Sequence, residues 1–218
     1  MSTQIEINKQ LVSYLETFGY RRDPIIDELV KETKALGNVA QMQIAPEQGQ
    51  FLQMIVTISK AKKCLEVGRF TGLSTLCMAR GLSDDGKIIT IDNSDEFLPL
   101  ANKFWKQANV QHKIESVIGQ GVEVMQSYID RQFFFDLIFI DADKNNYPHY
   151  YELSLQLLPS NGIMFIDNMF QGGDVADLSN KDAQTETIRS LNEKIQKDER
   201  VDFSLLPISD GLSFIRKK

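Results

Sequence analysis

Acidic and amide side chains directly follow two apolar runs of this sequence. Asp141 ends the run 134–141, and Asp167 with Asn168 ends the run 163–168. Carboxylate and amide oxygens favour a hard divalent cation, Mg²⁺ first and Mn²⁺ or Ca²⁺ next, over zinc. If both runs are neighbouring strands of one sheet, the three side chains can bind one ion. Each of them alone is more often a solvated strand end or a helix cap.

A glycine turn and a further acid indicate a nucleoside site. Gly68 and Gly72 follow an apolar run and let the backbone approach a ligand closely, although their spacing is not that of dinucleotide sites. Glu66, at the end of that run, would repel a pyrophosphate and suits a cationic amine. Asp92 ends the next run, where an acid pairs with ribose hydroxyls. These features fit S-adenosyl-methionine better than NAD; an ordinary strand-to-helix turn and a helix cap at Asp92 are the alternatives.

Lys144 follows Asp141 by three residues. Close to a divalent cation and a sulfonium, its ammonium form is disfavoured, which would suit a general base. A solvated surface lysine is the ordinary alternative.

The elements that carry these residues alternate between strand and helix. Five β-rich runs, separated by helical stretches such as 95–109 and 183–198, cover 64–68, 88–92, 114–119, 134–141 and 163–168. The alternation predicts an α/β fold whose parallel sheet has the order 3-2-1-4-5 and helices on both faces. Two more strand runs, 201–208 and 212–216, flank Ser209-Asp210-Gly211, which predicts a hairpin and one antiparallel strand. The sheet would then have seven strands.

The first 60 residues have helical periodicity. Three apolar stripes begin at Leu11, Ile25 and Phe51, Pro24 suits a first helical turn, and 45–50 is predicted to be a loop. We therefore expect one domain over 1–218, with 1–60 as an N-terminal helical cap and 61–218 as a Rossmann-like core.

Composition excludes several classes of protein. With 24 Lys and Arg against 30 Asp and Glu, and a net charge of -6, the chain should not bind nucleic acid. Two cysteines inside apolar runs, Cys64 and Cys77, indicate buried thiols in a reducing compartment, and His112 and His149 lack zinc-site spacing. No apolar run approaches the ~20 residues of a membrane span. The segment 1–6 has no signal-peptide pattern, so we expect a cytoplasmic protein.

Several stretches of the chain resemble one enzyme family, from about residue 40 to the end and more loosely before it. They are 49–52, 61–68, 71–72, 84–88, Asp141-Ala142-Asp143-Lys144-Asn145-Asn146-Tyr147, Asp167-Asn168 and 206–212. Together they resemble the cation-dependent, S-adenosyl-methionine-dependent O-methyltransferases of the caffeoyl-CoA and catechol type. The resemblance implies a Rossmann-like methyltransferase fold, a homodimer and a small hydroxylated aromatic substrate.

The resemblance also implies roles for individual residues. Lys144 and Asp141 would be catalytic, Asp143 and Phe170 would lie near the substrate, and Asp141, Asp167 and Asn168 would bind the cation. The positions that would hold S-adenosyl-methionine are Ile44, Glu66, Gly68, Arg69, Ser74, Asp92, Gly121 and Asp141.

The chain departs from the family's usual residues at several pocket positions: Ile44, Arg69, Phe70, Leu73, Gly121, Phe170 and Gln171. None of these departures removes a proposed ligand, so they put the substrate in doubt and not the reaction. Two other functions stay open: a metal-independent small-molecule methyltransferase and a non-catalytic S-adenosyl-methionine-binding protein.

Overall fold

The computed structural model describes residue 5 and residues 7–218. The N-terminal segment considered for a signal peptide, 1–6, therefore lies outside the described residues apart from Ile5. Among the described residues, no helix is long and apolar enough to cross a membrane.

Three helices precede the sheet: α1 (Lys9–Phe18), α2 (Pro24–Lys34) and α3 (Pro46–Ser59), with a 3₁₀ segment at Gly37–Met42. Pro24 occupies the first turn of α2 as predicted, and the Asp23 carboxylate caps that helix by accepting from the backbone of Ile25 and Ile26. The loop predicted over 45–50 is wrong. A second proline, Pro46, starts α3, because its fixed φ suits a helix start as well as a loop.

Strands and helices then alternate as predicted. In chain order they are β1 (Lys63–Val67), α4 (Leu73–Gly81), β2 (Lys87–Asp92), α5 (Leu98–Gln107), β3 (Ile114–Ile118), α6 (Gly121–Asp130), β4 (Leu137–Ile140), α7 (Tyr147–Leu157), β5 (Ile163–Ile166), α8 (Ala183–Lys197), β6 (Val201–Leu206) and β7 (Leu212–Lys217). The strand β4 is shorter than the predicted run 134–141, because residues 134–136 form the connection before it and Asp141 follows it. The hairpin connection is longer than expected, since β6 ends before Pro207, whose missing N–H cannot join the ladder.

The seven strands form one sheet of order β3-β2-β1-β4-β5-β7-β6. The first five are parallel, and β7 runs antiparallel to both of its neighbours, β5 and β6. Order, strand number and the single antiparallel strand are as predicted. Separate apolar clusters pack on the two faces of the sheet, one around Tyr151 and Leu157, the other around Leu52 and Trp105. The central strands are buried on both sides, which explains their nearly continuous apolar sequences.

The thiols of Cys64 and Cys77 are buried and free, as predicted. Burial raises the pKa of both thiols, that of Cys77 to about 12. They therefore act as small core side chains and not as nucleophiles.

Candidate functional site

The carboxyl ends of the central strands open into one cavity of about 810 Å³. The chain leaves β4 beside β1, since the Asp141 N–H donates to the Val67 carbonyl at 2.8 Å. It leaves β5 beside β4 in the same way, with the Asp167 N–H donating to the Ile140 carbonyl at 3.0 Å. These two steps place Asp141 and Asp167 side by side at one edge of the sheet, where ligands of open α/β folds bind.

Lys144 lies at the centre of this polar cluster. Its Nζ is 3.3 Å from Asp141 Oδ1, and it donates to Asn168 Oδ1 and to the Tyr147 hydroxyl oxygen, each at 2.6 Å. Lys144, predicted to be a base, is thus in contact with Asp141 and Asn168, which were predicted to bind a cation. A positive group stands where their oxygen atoms converge.

The two carboxylates of the cluster lack sufficient counter-charge. Burial raises the pKa of both Asp141 and Asp167, and the charge of Asp141 raises that of Asp167 further. Lys144 offsets these effects only in part. A second cation would relieve this repulsion. Among the described residues no group of three or more His, Cys, Asp and Glu side chains is arranged to hold a metal. The third oxygen donor here is an amide, Asn168, so the donor set is two carboxylates and one carbonyl oxygen, as hard cations accept.

Two residues that sequence analysis missed orient these donors. Gln48 on α3 is fully buried, and its Nε2 donates to Asp167 Oδ2 at 2.8 Å. Asp210, in the β6–β7 connection, accepts from Asn168 Nδ2 at 3.3 Å and so directs the amide oxygen towards Lys144. Asn168 has a left-handed backbone, with φ of 56°, which asparagine tolerates better than most residues. No local pattern in the sequence marks either Gln48 or Asp210.

The β1 turn and the end of β2 form the opposite end of the cavity. Gly68 has φ of 97°, and a side chain there would collide with the Asp141 carbonyl. Asp92 does not cap α5, which begins six residues later. Its Oδ2 accepts from the backbone N–H groups of Arg69 and Phe70, both at 3.0 Å. Asp92 is therefore not a helix cap. Its carboxylate instead holds the glycine turn after β1 against the end of β2.

Arg69 is a buried cation in the same wall, 2% exposed. Its guanidinium donates to the Ser94 carbonyl at 2.6 Å and to Ser116 Oγ at 2.7 Å. Burial lowers its pKa, partly offset by the charge of Asp92. Arg69 therefore connects the chain after β1 and β2 to β3, at one of the positions where the sequence departs from the family's usual residues.

Most residues predicted for the site line the cavity. These are Ile44, Gly68, Arg69, Ser74, Asp92, Gly121, Asp141, Asp143, Lys144, Asp167 and Asn168. The Asp143 carboxylate accepts from the Tyr150 hydroxyl at 2.6 Å, and both residues line the cavity.

Two predicted positions differ. Glu66 is fully buried behind the wall, where it accepts from Thr75 and Thr90 while its Oε1 has no partner among the described residues. Phe170 packs its ring against Gly211 and is not part of the lining, which contains Gln171 instead.

Comparisons with known proteins agree with this arrangement. The sequence model of a family described as "O-methyltransferase" matches residues 16–218. A "Probable caffeoyl-CoA O-methyltransferase 2" of Dictyostelium discoideum is 39% identical over 98% of this chain and 94% of its own. "Tricin synthase 1" of Oryza sativa is 36% identical over 93% and 85%. Among solved structures, an O-methyltransferase from Bacillus cereus in complex with SAH has a TM-score of 0.85 and 31% identity, covering 94% of this chain and 96% of that one.

Proposed function

The chain belongs to the O-methyltransferase family and is an S-adenosyl-methionine-dependent O-methyltransferase, and we propose that it methylates a hydroxyl of a catechol-like small molecule with the help of a divalent cation. A catechol carries two vicinal hydroxyls on an aromatic ring. The acceptor and the cation are the parts of this statement that need an experiment.

One observation carries the proposal: Lys144 contacts both Asp141 and Asn168 beside Asp167, in the lining of the cavity. A structural cluster of this kind would be expected to balance its charges. Here two neighbouring carboxylates share a single ammonium, and the pKa of each is raised by burial. A cluster that lacks a cation, beside a cavity of small-molecule size, supports a cation-assisted reaction.

Asp141, Asp167 and Asn168 would hold the cation. When bound, it supplies positive charge that favours the ionised form of an acceptor hydroxyl, which otherwise titrates near pH ~10. Gln48 and Asp210 support the donor set by fixing the carboxylate of Asp167 and the amide of Asn168.

The chain's own residues account for binding and orientation of the methyl donor. Asp92 at the end of β2 suits the ribose hydroxyls, and Gly68 and Gly121 line the same part of the cavity. Neither glycine leaves space for a side chain, because the Asp141 carbonyl packs against Gly68 and the Tyr150 ring against Gly121. Ile44, Arg69 and Ser74 complete the wall at this end. Glu66 stays a predicted cofactor residue, and its buried carboxylate lies behind the wall formed by Ser74.

In its neutral amine form Lys144 is placed to take the acceptor proton, because its Nζ lies among the oxygen atoms that would surround the hydroxyl. The acceptor oxygen then forms a bond to the methyl carbon as the carbon–sulfur bond breaks. Asp143 at the cavity mouth would orient the acceptor. Most of the acceleration would come from holding oxygen and methyl carbon in line.

We also propose a homodimer. Helix α1 buries none of its residues within the described chain, and its Val12, Tyr14 and Phe18 are exposed together with Met54 and Ile58 of α3. Apolar side chains in such number on neighbouring helices are typical of an interface. Light scattering during gel filtration measures the mass directly, and a monomer at micromolar concentration would reject this assignment.

The central test measures methyl transfer from labelled S-adenosyl-methionine to 4-methylcatechol, with Mg²⁺ and then with EDTA. We expect turnover that disappears on chelation and returns with added Mg²⁺, and near-complete loss in Asp141→Asn and Asp167→Asn. The fully exposed Asp84 provides the matched control, and Asp84→Asn should retain the wild-type rate. Undiminished turnover in EDTA would favour a metal-independent methyltransferase. Binding of S-adenosyl-methionine with no turnover on any catechol would favour a binding protein.

A further inference from the structure

Carboxylates outnumber cationic side chains in the lining of the cavity. Among the described residues, two cationic side chains line it, Arg69 and Lys144, against six carboxylates. The carboxylates are Asp92, Glu96, Asp141, Asp143, Asp167 and Asp210. A low-dielectric cleft lined mostly by one sign of charge attracts ligands of the opposite sign and repels those of its own.

Neither cation is free to meet an anionic substrate. Arg69 is 2% exposed and is held by Ser94 and Ser116 at the cofactor end. Lys144 is surrounded by Asp141, Asn168 and the Tyr147 hydroxyl. Both guanidinium and ammonium are therefore already engaged before any acceptor enters.

The part of the cavity around Lys144, where the acceptor would bind, is called the acceptor end. It stays acidic even if a bound cation offsets the charges of Asp141 and Asp167. Asp143 accepts from Tyr150 and Asn146, and Asp210 accepts from Asn168 and the Gly172 N–H, so all their partners are neutral groups. The other polar residues at this end are uncharged: Ser209, Gln171 and Gln184, the last two in contact at 3.4 Å. Among the described residues that line this part of the cavity, an anionic group on the acceptor would meet carboxylates and no free cation.

From this charge pattern we infer that the acceptor site selects catechols with an uncharged or cationic side chain and discriminates against polyanionic acyl-CoA thioesters. The inference rests on the proposed function and narrows its substrate class. It distinguishes this chain from the activity that the names of several relatives describe, because the phosphates of a CoA thioester would have to be accommodated next to these carboxylates.

The test compares four acceptors that share the catechol ring and differ in charge. They are dopamine, 4-methylcatechol, 3,4-dihydroxybenzoate and caffeoyl-CoA, each assayed for kcat/KM at saturating S-adenosyl-methionine. We expect dopamine and 4-methylcatechol to exceed caffeoyl-CoA by about tenfold or more, with the benzoate between them. Raising the ionic strength from about 0.02 M to about 0.5 M should narrow the gap, because salt screens the repulsion.

A charge introduced at the mouth should shift the preference. Gln184→Lys places an ammonium beside Gln171, so the ratio of kcat/KM for the benzoate to that for 4-methylcatechol should rise several-fold. Gln156→Lys adds the same charge on the exposed end of α7, outside the cavity, and should leave that ratio as it is in the wild type.

The outcomes keep the inference and the proposed function apart. Caffeoyl-CoA used as well as 4-methylcatechol would overturn the inference while the reaction stands. If no acceptor is methylated, the proposed function fails, and calorimetric affinities of the same four compounds for the protein saturated with SAH decide the inference. The same charge order in binding supports it, and equal affinities or no binding at all overturn it.

Discussion

Gln48 and Asp167 join the N-terminal helices to the end of β5 through one buried hydrogen bond of 2.8 Å. Both side chains are shielded from water, at 0% and 3% exposure. The other amide atom of Gln48, Oε1, is buried without a partner among the described residues. The Gln48 amide fixes the direction of the Asp167 carboxylate, a candidate metal ligand. If that carboxylate turned away, its buried Oδ2 would lose this hydrogen-bond donor.

Removal of this amide should weaken cation binding more than it weakens the fold. For Gln48→Leu we expect a loss of about 10–100-fold in Mn²⁺ affinity, as for other groups that orient metal ligands. Calorimetry of Mn²⁺ binding to the apo-protein measures this without turnover. Gln53→Leu, the same change one turn and a half later on α3, is the control, since the Gln53 side chain has no hydrogen bond among the described residues. Equal Mn²⁺ affinity in both variants would contradict the role given to Gln48.

Glu66 should make the ligand-free protein less stable as the pH rises. Burial raises its pKa to about 7, more than the Thr75 and Thr90 hydroxyls lower it. In the unfolded chain a glutamate titrates near ~4.3, so the folded state holds the proton more tightly. Its contribution to stability is complete below about pH 4 and is lost as the pH rises to about 7, by about 4 kcal/mol in all.

Urea unfolding of wild type and Glu66→Gln at about pH 5 and about pH 8 checks this. The amide imitates the protonated acid, so the free energy of unfolding of the variant relative to wild type should rise by about 2–3 kcal/mol between the two pH values. Taking the difference removes the pH dependence of other groups. A relative stability that is the same at both values would show that Glu66 is ionised in the folded protein under both conditions.

The polar cluster can be predicted from the sequence because the carboxyl ends of parallel strands lie together at one edge of the sheet. Asp141, Asp167 and Asn168 each follow an apolar run, and once the strand order is inferred from the alternation of elements their proximity follows. The same argument predicts Asp92 and the glycine turn at the cofactor end. This prediction succeeds because the path of the backbone alone determines where these strand-end residues lie.

Side-chain direction and long-range partners are less accessible from sequence. Glu66 and Val67 are successive strand residues, so they point to opposite faces, and only Val67 borders the cavity. Phe170 and Gln171 are likewise adjacent, and a left-handed φ of 49° at Gln171 decides which of them reaches the site. Gln48 reaches Asp167 across 119 residues of chain, a pairing that no local period records.

Gly68 should be intolerant of any side chain. Its φ is 97°, and a Cβ atom would lie 1.8 Å from the Asp141 carbonyl oxygen, so β1 and β4 would have to separate at the site. We expect Gly68→Ala to cost more than about 4 kcal/mol of stability or to prevent folding. Gly37 offers a matched control, because its φ is 79° and a Cβ atom there meets nothing within 4 Å. Gly37→Ala should cost only the backbone penalty of about 1–2 kcal/mol. Similar losses in thermal unfolding for the two variants would show that the contact with Asp141 is unimportant.

Gln43 connects the 3₁₀ segment that borders the cavity to the cofactor turn. Its Nε2 donates to Thr33 Oγ1 at 2.8 Å and to Thr71 Oγ1 at 2.9 Å, and both threonines are fully buried. This bond holds the wall formed by Met42 and Ile44 against the residues that follow Gly68.

Loss of this connection should therefore weaken cofactor binding. In Gln43→Leu the two threonine hydroxyls lose a shared donor, at about 1 kcal/mol for each hydrogen bond, so the Kd for SAH should rise by about tenfold. Because Gln43 shares no hydrogen-bond partner with Lys144 among the described residues, kcat at saturating S-adenosyl-methionine should change little. Asn38→Leu, on the same segment, exposed, outside the cavity lining and without a side-chain hydrogen bond among the described residues, should leave the Kd near its wild-type value. A fall in kcat with an unaltered Kd would instead show that the segment acts on the acceptor side of the cavity.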